Sequence, residues 1–195
     1  MIILLGFPKS GTSSFQKLFT DLGYTSFHHT ITETRQRIGM IIKNNKINKK
    51  PLLAGFKPTD CITQMDVCLD KNTAYWPQIT DFQQIYSENR SSIFILNKRD
   101  PIKLLSSFKR WANLHERLHK FNPEILNTNT DAAILEVFKN HYKNVETFFS
   151  TLPEAKFLTF DIEVDSLEKL RKYIDIKNIK CLPKENVNKK TPAGK

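Results

Sequence analysis

Apolar runs and helical periods alternate along this chain of 195 residues. Short apolar runs bounded by polar or turn residues predict buried strands, and apolar residues that recur every three or four positions predict amphipathic helices. The predicted strands are residues 2–5, 24–29, 52–56, 92–97 and 156–160. The predicted helices are residues 13–22, 32–43, a helix that starts at Pro101, 131–149 and 167–174.

Repeated strand–helix alternation favours a mostly parallel sheet covered by helices. We therefore predict a three-layer α/β fold. The length fits a single domain over residues 1–195, with a basic and polar loop over residues 181–195. Ligands of such sheets bind beyond the carboxyl ends of the strands, so the loops that follow strands are where chemistry is expected.

Composition argues against disorder and against a membrane span. The chain is 39% hydrophobic and 26% charged, and it has no apolar run of the ~18–20 residues that a spanning helix needs. The apolar start over residues 1–5 is too short for a signal-peptide core, so we expect a soluble, cytoplasmic protein. Its three cysteines lack the spacing of zinc ligands, and we expect no bound metal.

The chain carries a formal net charge of +10 and has a pI near 9.5. This excess indicates either a solvated lysine-rich surface or an anionic partner. No helix-turn-helix, zinc-finger or RNA-recognition pattern accompanies it, so nucleic acid is not the favoured partner.

The strongest motif is the turn between the first predicted strand and helix, GFPKSGTSS at residues 6–14. Strand, tight loop and helix in this order build a phosphate cradle from backbone N–H groups, a helix N-terminus and a lysine. The motif departs from the G-x-x-x-x-G-K-[ST] pattern of nucleotide triphosphatases, because Thr12 stands where the lysine is expected and the lysine lies earlier, at Lys9. The motif therefore predicts a phosphate-binding site whose chemistry differs from that of ATP binding.

A second motif follows the strand at residues 92–97. Arg99 ends that strand, Pro101 begins a helix, and Ser107 lies two turns along it. A guanidinium can hold a phosphate with two parallel hydrogen bonds, and a helix hydroxyl can add a third. By itself the segment favours a helix-capping Asp100 beside an incidental arginine over a phosphate site.

The two motifs in this order resemble the PAPS-dependent sulfotransferases, which pair a PKSGT loop with an R-D-P…S segment. Here the matching residues are 8–12 and Arg99-Asp100-Pro101…Ser107. Residues 11–24, 157–162 and 182–186 are also similar to the sulfotransferase-like branch of that family. The resemblance therefore extends over most of the chain, with residues 30–80 as the exception.

The resemblance implies a P-loop-like fold, PAPS as the sulfuryl donor, adenosine 3′,5′-bisphosphate as the product, and a hydroxyl-bearing acceptor. It implies that Lys9 contacts the bridging oxygen and the transferring sulfuryl group, and that Arg99 and Ser107 hold the 3′-phosphate. The implied contacts of the 5′-phosphate are Ser10, Gly11, Thr12 and Ser13. A basic C-terminal loop closes over the nucleotide in many members, and the candidates for that role are Asn186, Lys189 and Lys190.

The acceptor hydroxyl also needs a base, because a neutral alcohol is a poor nucleophile. The candidates are His28 and His29 after the second predicted strand, Glu33 in the following segment, and Asp66. We rank Glu33 and His28 first. A basic helical segment after Trp111 is compatible with a solvated helix end or with an anionic acceptor.

Two other functions are compatible with the sequence. One is a P-loop kinase acting on a nucleoside or small metabolite, although a lysine beside the second glycine and an acidic Mg²⁺ ligand are not evident. The other is a non-catalytic module that binds anions or nucleic acid through the same cradle.

Overall fold

A computed structural model describes residues 1–176, 179–183 and 185. Its core is a five-stranded, all-parallel sheet in the order β2-β3-β1-β4-β5. The strands are β1 (Ile2–Leu4), β2 (Ser26–Phe27), β3 (Cys61–Ile62), β4 (Ile93–Lys98) and β5 (Lys156–Asp161). Because β1 is central, the loop that follows it opens at the middle of the carboxyl edge.

Helices cover both faces of the sheet. They are α1 (Thr12–Asp21), α2 (Ile38–Ile47), α3 (Pro77–Thr80), α4 (Phe82–Glu88), α5 (Pro101–Arg110), α6 (Leu114–Phe121), α7 (Asp131–Ser150) and a 3₁₀ helix, Leu167–Lys172. Alternate β1 residues point to opposite faces: Ile3 packs with α2 and α4–α7, whereas Ile2 and Leu4 pack with α1 and the 3₁₀ helix. The predicted three-layer α/β fold is confirmed.

Three predicted elements were wrong in type or extent. Residues 52–56 form a turn rather than a strand; Leu52 and Leu53 are still buried, and Asn45 donates hydrogen bonds to two of the turn's carbonyls. A short apolar run signals burial, and burial does not require strand pairing. Helix α2 begins at Ile38 rather than residue 32, and the last helix is a short 3₁₀ helix. The two-residue β3 and helices α3 and α4 were not predicted.

Phe7 anchors the loop after β1 in the core. Its fully buried ring contacts Phe138 and His141 of α7, with centroids at 4.7 and 4.9 Å, and Phe108 of α5 at 6.1 Å. Edge-to-face contacts of this kind favour one ring orientation. The loop is therefore attached to two helices as well as to its own strand.

His141 also holds the end of β1, since its buried Nε2 lies 2.7 Å from the carbonyl oxygen of Leu5 and donates to it. Complete burial lowers the pKa of His141 to about 4.

We expect His141 to make the protein less stable in mild acid. The unfolded chain takes up a proton below pH ~6.5, whereas the folded chain resists protonation down to about pH 4. The free energy of unfolding should therefore fall as the pH drops through this window, by up to ~3 kcal/mol from this group. Urea unfolding between pH 8 and 4 measures it, and His141→Gln, which can still donate to Leu5, should show a shallower decline. Equal slopes for the two proteins would contradict the assignment.

Within the described residues, no helix combines the length and apolarity needed to cross a bilayer.

Candidate functional site

The conformation of the loop between β1 and α1 requires a glycine at position 11. Gly11 is the N-cap of α1 and has φ +83°, and a Cβ there would lie 2.9 Å from a methyl carbon of Ile162. Lys9 also has a positive φ, +69°. Among the described residues no side chain caps α1, and the positive end of its dipole lies at a cleft that Gly11 and Thr12 line.

Asn97, at the end of β4, fixes the shape of this loop. Its fully buried side chain accepts a hydrogen bond from the Gly6 N–H at 2.8 Å and donates to the Ser10 carbonyl at 3.0 Å. Ser10 is fully buried, and its hydroxyl bonds to Asn97 and to the Phe7 carbonyl. The hydroxyl of Ser10 therefore stabilises the loop through hydrogen bonds within the protein. A contact from Ser10 to a phosphate remains a prediction.

Lys9 reaches into a cationic environment. Its ammonium lies 5.3 Å above the ring of Trp111, a partly exposed residue just after α5. Burial, followed by the nearby Arg99 and Arg110, lowers the pKa of Lys9. An anion bound here would relieve the mutual repulsion of these cations.

Arg99 joins the two sequence motifs. Its Nη1 donates to the Lys9 carbonyl and to the Ser107 hydroxyl, both at 3.0 Å, and its Nε lies 3.5 Å from a carboxylate oxygen of Glu163. Ser107 is buried on α5. The ordered pair of motifs, 90 residues apart in sequence, thus meets at one point of the structure.

A cleft of about 1230 Å³ opens over this junction. It contains most of the predicted nucleotide-binding residues together with the two adjacent histidines. The residues that line the cleft include Lys9, Thr12, His28, His29, Gln64 and Arg99.

Of the four base candidates, His28 and His29 line the cleft and Glu33 and Asp66 do not. Glu33 is exposed in the turn before α2. Asp66 is buried behind the cleft, where it accepts hydrogen bonds from Gln64 and Gln78. Its burial raises the pKa of Asp66 to about 6. The ranking of Glu33 alongside His28 thus receives no support from the geometry.

The ring of His28 contacts the first turn of α1. Its Nε2 lies 3.0 Å from the Thr12 hydroxyl and 3.3 Å from that of Ser13, and its Nδ1 lies 2.9 Å from Nδ1 of His29. Burial, helped by the charges of His29 and Lys9, lowers the pKa of His28 to about 4. The ring is therefore neutral at pH 7 and carries a lone pair.

The three C-terminal candidates, Asn186, Lys189 and Lys190, lie outside the described residues. The segment before them does reach the cleft: Pro183 and Glu185 line it, and the Glu185 N–H lies 3.3 Å from the Ser14 hydroxyl.

Sequence reasoning missed Asn97, Gln64 and His141, which position the loop and its first helical turn. Asn97 could have been found, because a polar residue inside a buried apolar strand needs a partner. The contacts that give Gln64 and His141 their roles, with Thr12 and with the Leu5 carbonyl, are 52 and 136 residues distant in sequence. Among the described residues, no group of three or more His, Cys, Asp or Glu side chains has the arrangement of a metal site.

The fold and site define an α/β protein with a candidate anion site at a strand–loop–helix turn. The sulfotransferase domain model matches residues 1–123, which include β1–β4, the loop, Arg99 and Ser107. The chain therefore belongs to the sulfotransferase domain family.

A comparison with curated protein sequences finds no significant match. Among solved structures, the YorR protein from Bacillus subtilis, in complex with phosphorylated GDP, aligns over 88% of this chain and 91% of its own. The identity is 13% and the TM-score is 0.42.

Proposed function

We propose that this protein transfers a sulfuryl group from PAPS to a hydroxyl acceptor and releases adenosine 3′,5′-bisphosphate. The observation that carries the proposal is the meeting of Lys9, Arg99 and Ser107 in one cleft, through the two 3.0 Å hydrogen bonds of Arg99. The donor carries two separate phosphate groups, and the cleft has two adjacent cationic positions to receive them. Membership of the sulfotransferase domain family favours sulfuryl over phosphoryl transfer.

The leaving phosphate gains negative charge as its bond to sulfur breaks. Lys9 and the N-terminus of α1 are placed to neutralise that charge, and Asn97 keeps the loop in shape, so little reorganisation is needed during the reaction. In this proposal the 5′-phosphate accepts from the backbone N–H groups of Thr12 and Ser13 and from the Ser13 hydroxyl, all at the first turn of α1.

Arg99 and Ser107 take the 3′-phosphate in this proposal. The hydrogen bond between them holds the guanidinium against α5 before the ligand arrives. A preoriented guanidinium loses less side-chain entropy when it binds a phosphate.

The acceptor supplies its hydroxyl oxygen to sulfur and loses its proton to a base. The His28–His29 pair is the base, since both rings line the cleft and burial lowers the pKa of each, which keeps them neutral near pH 7.

Nucleotide binding tests the donor side. Calorimetry at low salt should give adenosine 3′,5′-bisphosphate a Kd about 10–100-fold below that of AMP, because only the bisphosphate engages Arg99 and Ser107. Ser107→Ala should weaken bisphosphate binding about 5–10-fold and leave AMP binding unchanged. Ser106→Ala is the matched control, since Ser106 is the neighbouring serine and accepts from Arg110 instead. Equal affinities of the wild-type protein for the two nucleotides would overturn the proposal.

A further inference from the structure

A continuous chain of hydrogen bonds runs from a buried carboxylate to the rim of the cleft. Gln64 Nε2 lies 3.3 Å from Asp66 Oδ2, and Gln64 Oε1 lies 3.2 Å from the Thr12 hydroxyl. That hydroxyl lies 3.0 Å from His28 Nε2, and His28 Nδ1 lies 2.9 Å from His29 Nδ1.

The donors and acceptors among these residues give the series of hydrogen bonds a direction. An ionised carboxylate only accepts, so Gln64 turns its NH₂ group to Asp66 and its oxygen to Thr12. The Thr12 hydroxyl then donates its single proton to Gln64. It is left as an acceptor toward the ring of His28, at 3.0 Å, so His28 Nε2 carries the proton. The Ser13 hydroxyl, 3.3 Å from the same nitrogen, is then a second acceptor of that N–H group.

The opposite direction is unfavourable while Asp66 is ionised. If Thr12 donated to His28, the oxygens of Thr12 and Gln64 would face each other at 3.2 Å without a proton between them. If the Gln64 amide were rotated to remove that conflict, its oxygen would face the Asp66 carboxylate instead.

The direction decides which histidine nitrogen is basic. With its proton on Nε2, His28 presents a lone pair at Nδ1, and His29 must donate its Nδ1–H to it. The lone pair of His29 is therefore on Nε2, at the end of the chain. His29 is an exposed residue and lines the cleft.

We propose that Nε2 of His29 accepts the acceptor's hydroxyl proton and that Asp66 is the positioning residue that sets this tautomer through Gln64, Thr12 and His28. The inference rests on the proposed sulfuryl transfer. The O–H bond of the acceptor breaks as its oxygen bonds to sulfur, the sulfur–phosphate oxygen bond breaks with its electron pair leaving on the bisphosphate, and the proton on His29 later passes to water.

The charged groups around these hydrogen-bonded residues are consistent with neutral histidines and an ionised Asp66. Burial of the His28 ring and partial burial of the His29 ring lower the pKa of both, and Lys9 beside His28 and Arg37 beside His29 lower it further. Burial raises the pKa of Asp66, whereas the hydrogen bonds to its carboxylate, including those from Gln78 and Gln64, and the charge of Arg117 partly offset this effect, which leaves the pKa at about 6. At pH 7.5 the histidines are thus neutral and Asp66 is ionised. Below about pH 6 the protonated Asp66 carboxyl can donate, and the series of hydrogen bonds then has no single direction.

Histidine tautomers test the inference without any assay of activity. In ¹⁵N-histidine-labelled protein at pH 7.5, long-range ¹H–¹⁵N NMR spectra should show His28 as the Nε2–H tautomer and His29 as the Nδ1–H tautomer. In Asp66→Asn both rings should shift toward a mixture, because an amide can donate or accept. Asp60→Asn, another buried aspartate that accepts from the Lys57 N–H, should leave both tautomers unchanged. Finding His28 as the Nδ1–H tautomer in the wild-type protein would overturn the inference.

Kinetics then assign the base. With PAPS and the best acceptor from a panel of phenols, sugars and alkyl alcohols, His29→Gln should lower kcat about 10²–10⁴-fold and remove the acidic limb of the pH profile. Its Kd for adenosine 3′,5′-bisphosphate should stay within threefold of wild type. A His29→Gln protein that retains wild-type kcat would overturn the inference and leave the proposed function standing. Failure of the wild-type protein to bind the bisphosphate would overturn the proposed function and leave the tautomer result readable.

Discussion

Lys9→Met is expected to lower kcat for sulfuryl transfer by about 10²–10³-fold, the usual cost of removing one donor that stabilises developing charge. Methionine keeps most of the apolar stem of Lys9 and removes the ammonium that lies over the Trp111 ring. The turnover of PAPS at saturating donor and acceptor measures the effect. Bisphosphate affinity should fall far less than kcat, because Arg99, Ser107 and the N-terminus of α1 remain.

Lys17→Met is the control for Lys9→Met. Lys17 lines the same cleft, but its ammonium is exposed and paired with Asp21 one turn along α1. If the cleft needed only positive charge, both variants would lose activity to a similar degree. We expect Lys17→Met to stay within threefold of wild type, and a Lys9→Met protein of comparable activity would remove Lys9 from the mechanism.

Gly6→Ala is expected to have the largest effect on stability. A Cβ at Gly6 would stand 2.1 Å from the backbone oxygen of Asn97 and 2.5 Å from its side-chain oxygen. Relief of that overlap requires β1 and β4 to separate locally and breaks the hydrogen bond from Gly6 to Asn97. We expect the free energy of unfolding to fall by about 3 kcal/mol or more, as for other severe overpacking.

Urea unfolding measures the effect, with Gly55→Ala as the comparison. Gly55 has φ +100°, so alanine there bears a backbone cost of about 1–2 kcal/mol, but its Cβ would meet nothing within 4 Å. The difference between the two variants isolates the close approach of the loop to Asn97. A Gly6→Ala protein as stable as Gly55→Ala would show that the loop can move away from β4 at little cost.

The residues proposed to bind the sulfuryl donor could be selected from the sequence because their signals are local. The glycine spacing, the displaced lysine and the R-D-P…S segment each belong to one turn or one helix start, where local sequence dictates backbone geometry. The base proposed for the acceptor hydroxyl could not be selected in this way. Glu33 and His28 ranked equally by sequence, yet only His28 lines the cleft, because the segment before α2 turns outward over residues that appeared helical.

By itself the sequence determined the alternation of strands and helices, the three-layer fold, and the family, since hydrophobic period and turn chemistry act over a few residues. Only the tertiary structure decided that Asn97 and His141 hold the loop, that Arg99 joins Lys9 to Ser107, and that Asp66 connects to the histidine pair through Gln64 and Thr12. The hydrogen bonds that join Gln64 to Thr12, Asn97 to Ser10, Arg99 to Lys9 and His141 to Leu5 span 52, 87, 90 and 136 residues. Hydrogen bonds over such separations depend on how the sheet brings its strand ends together, and no local pattern records that.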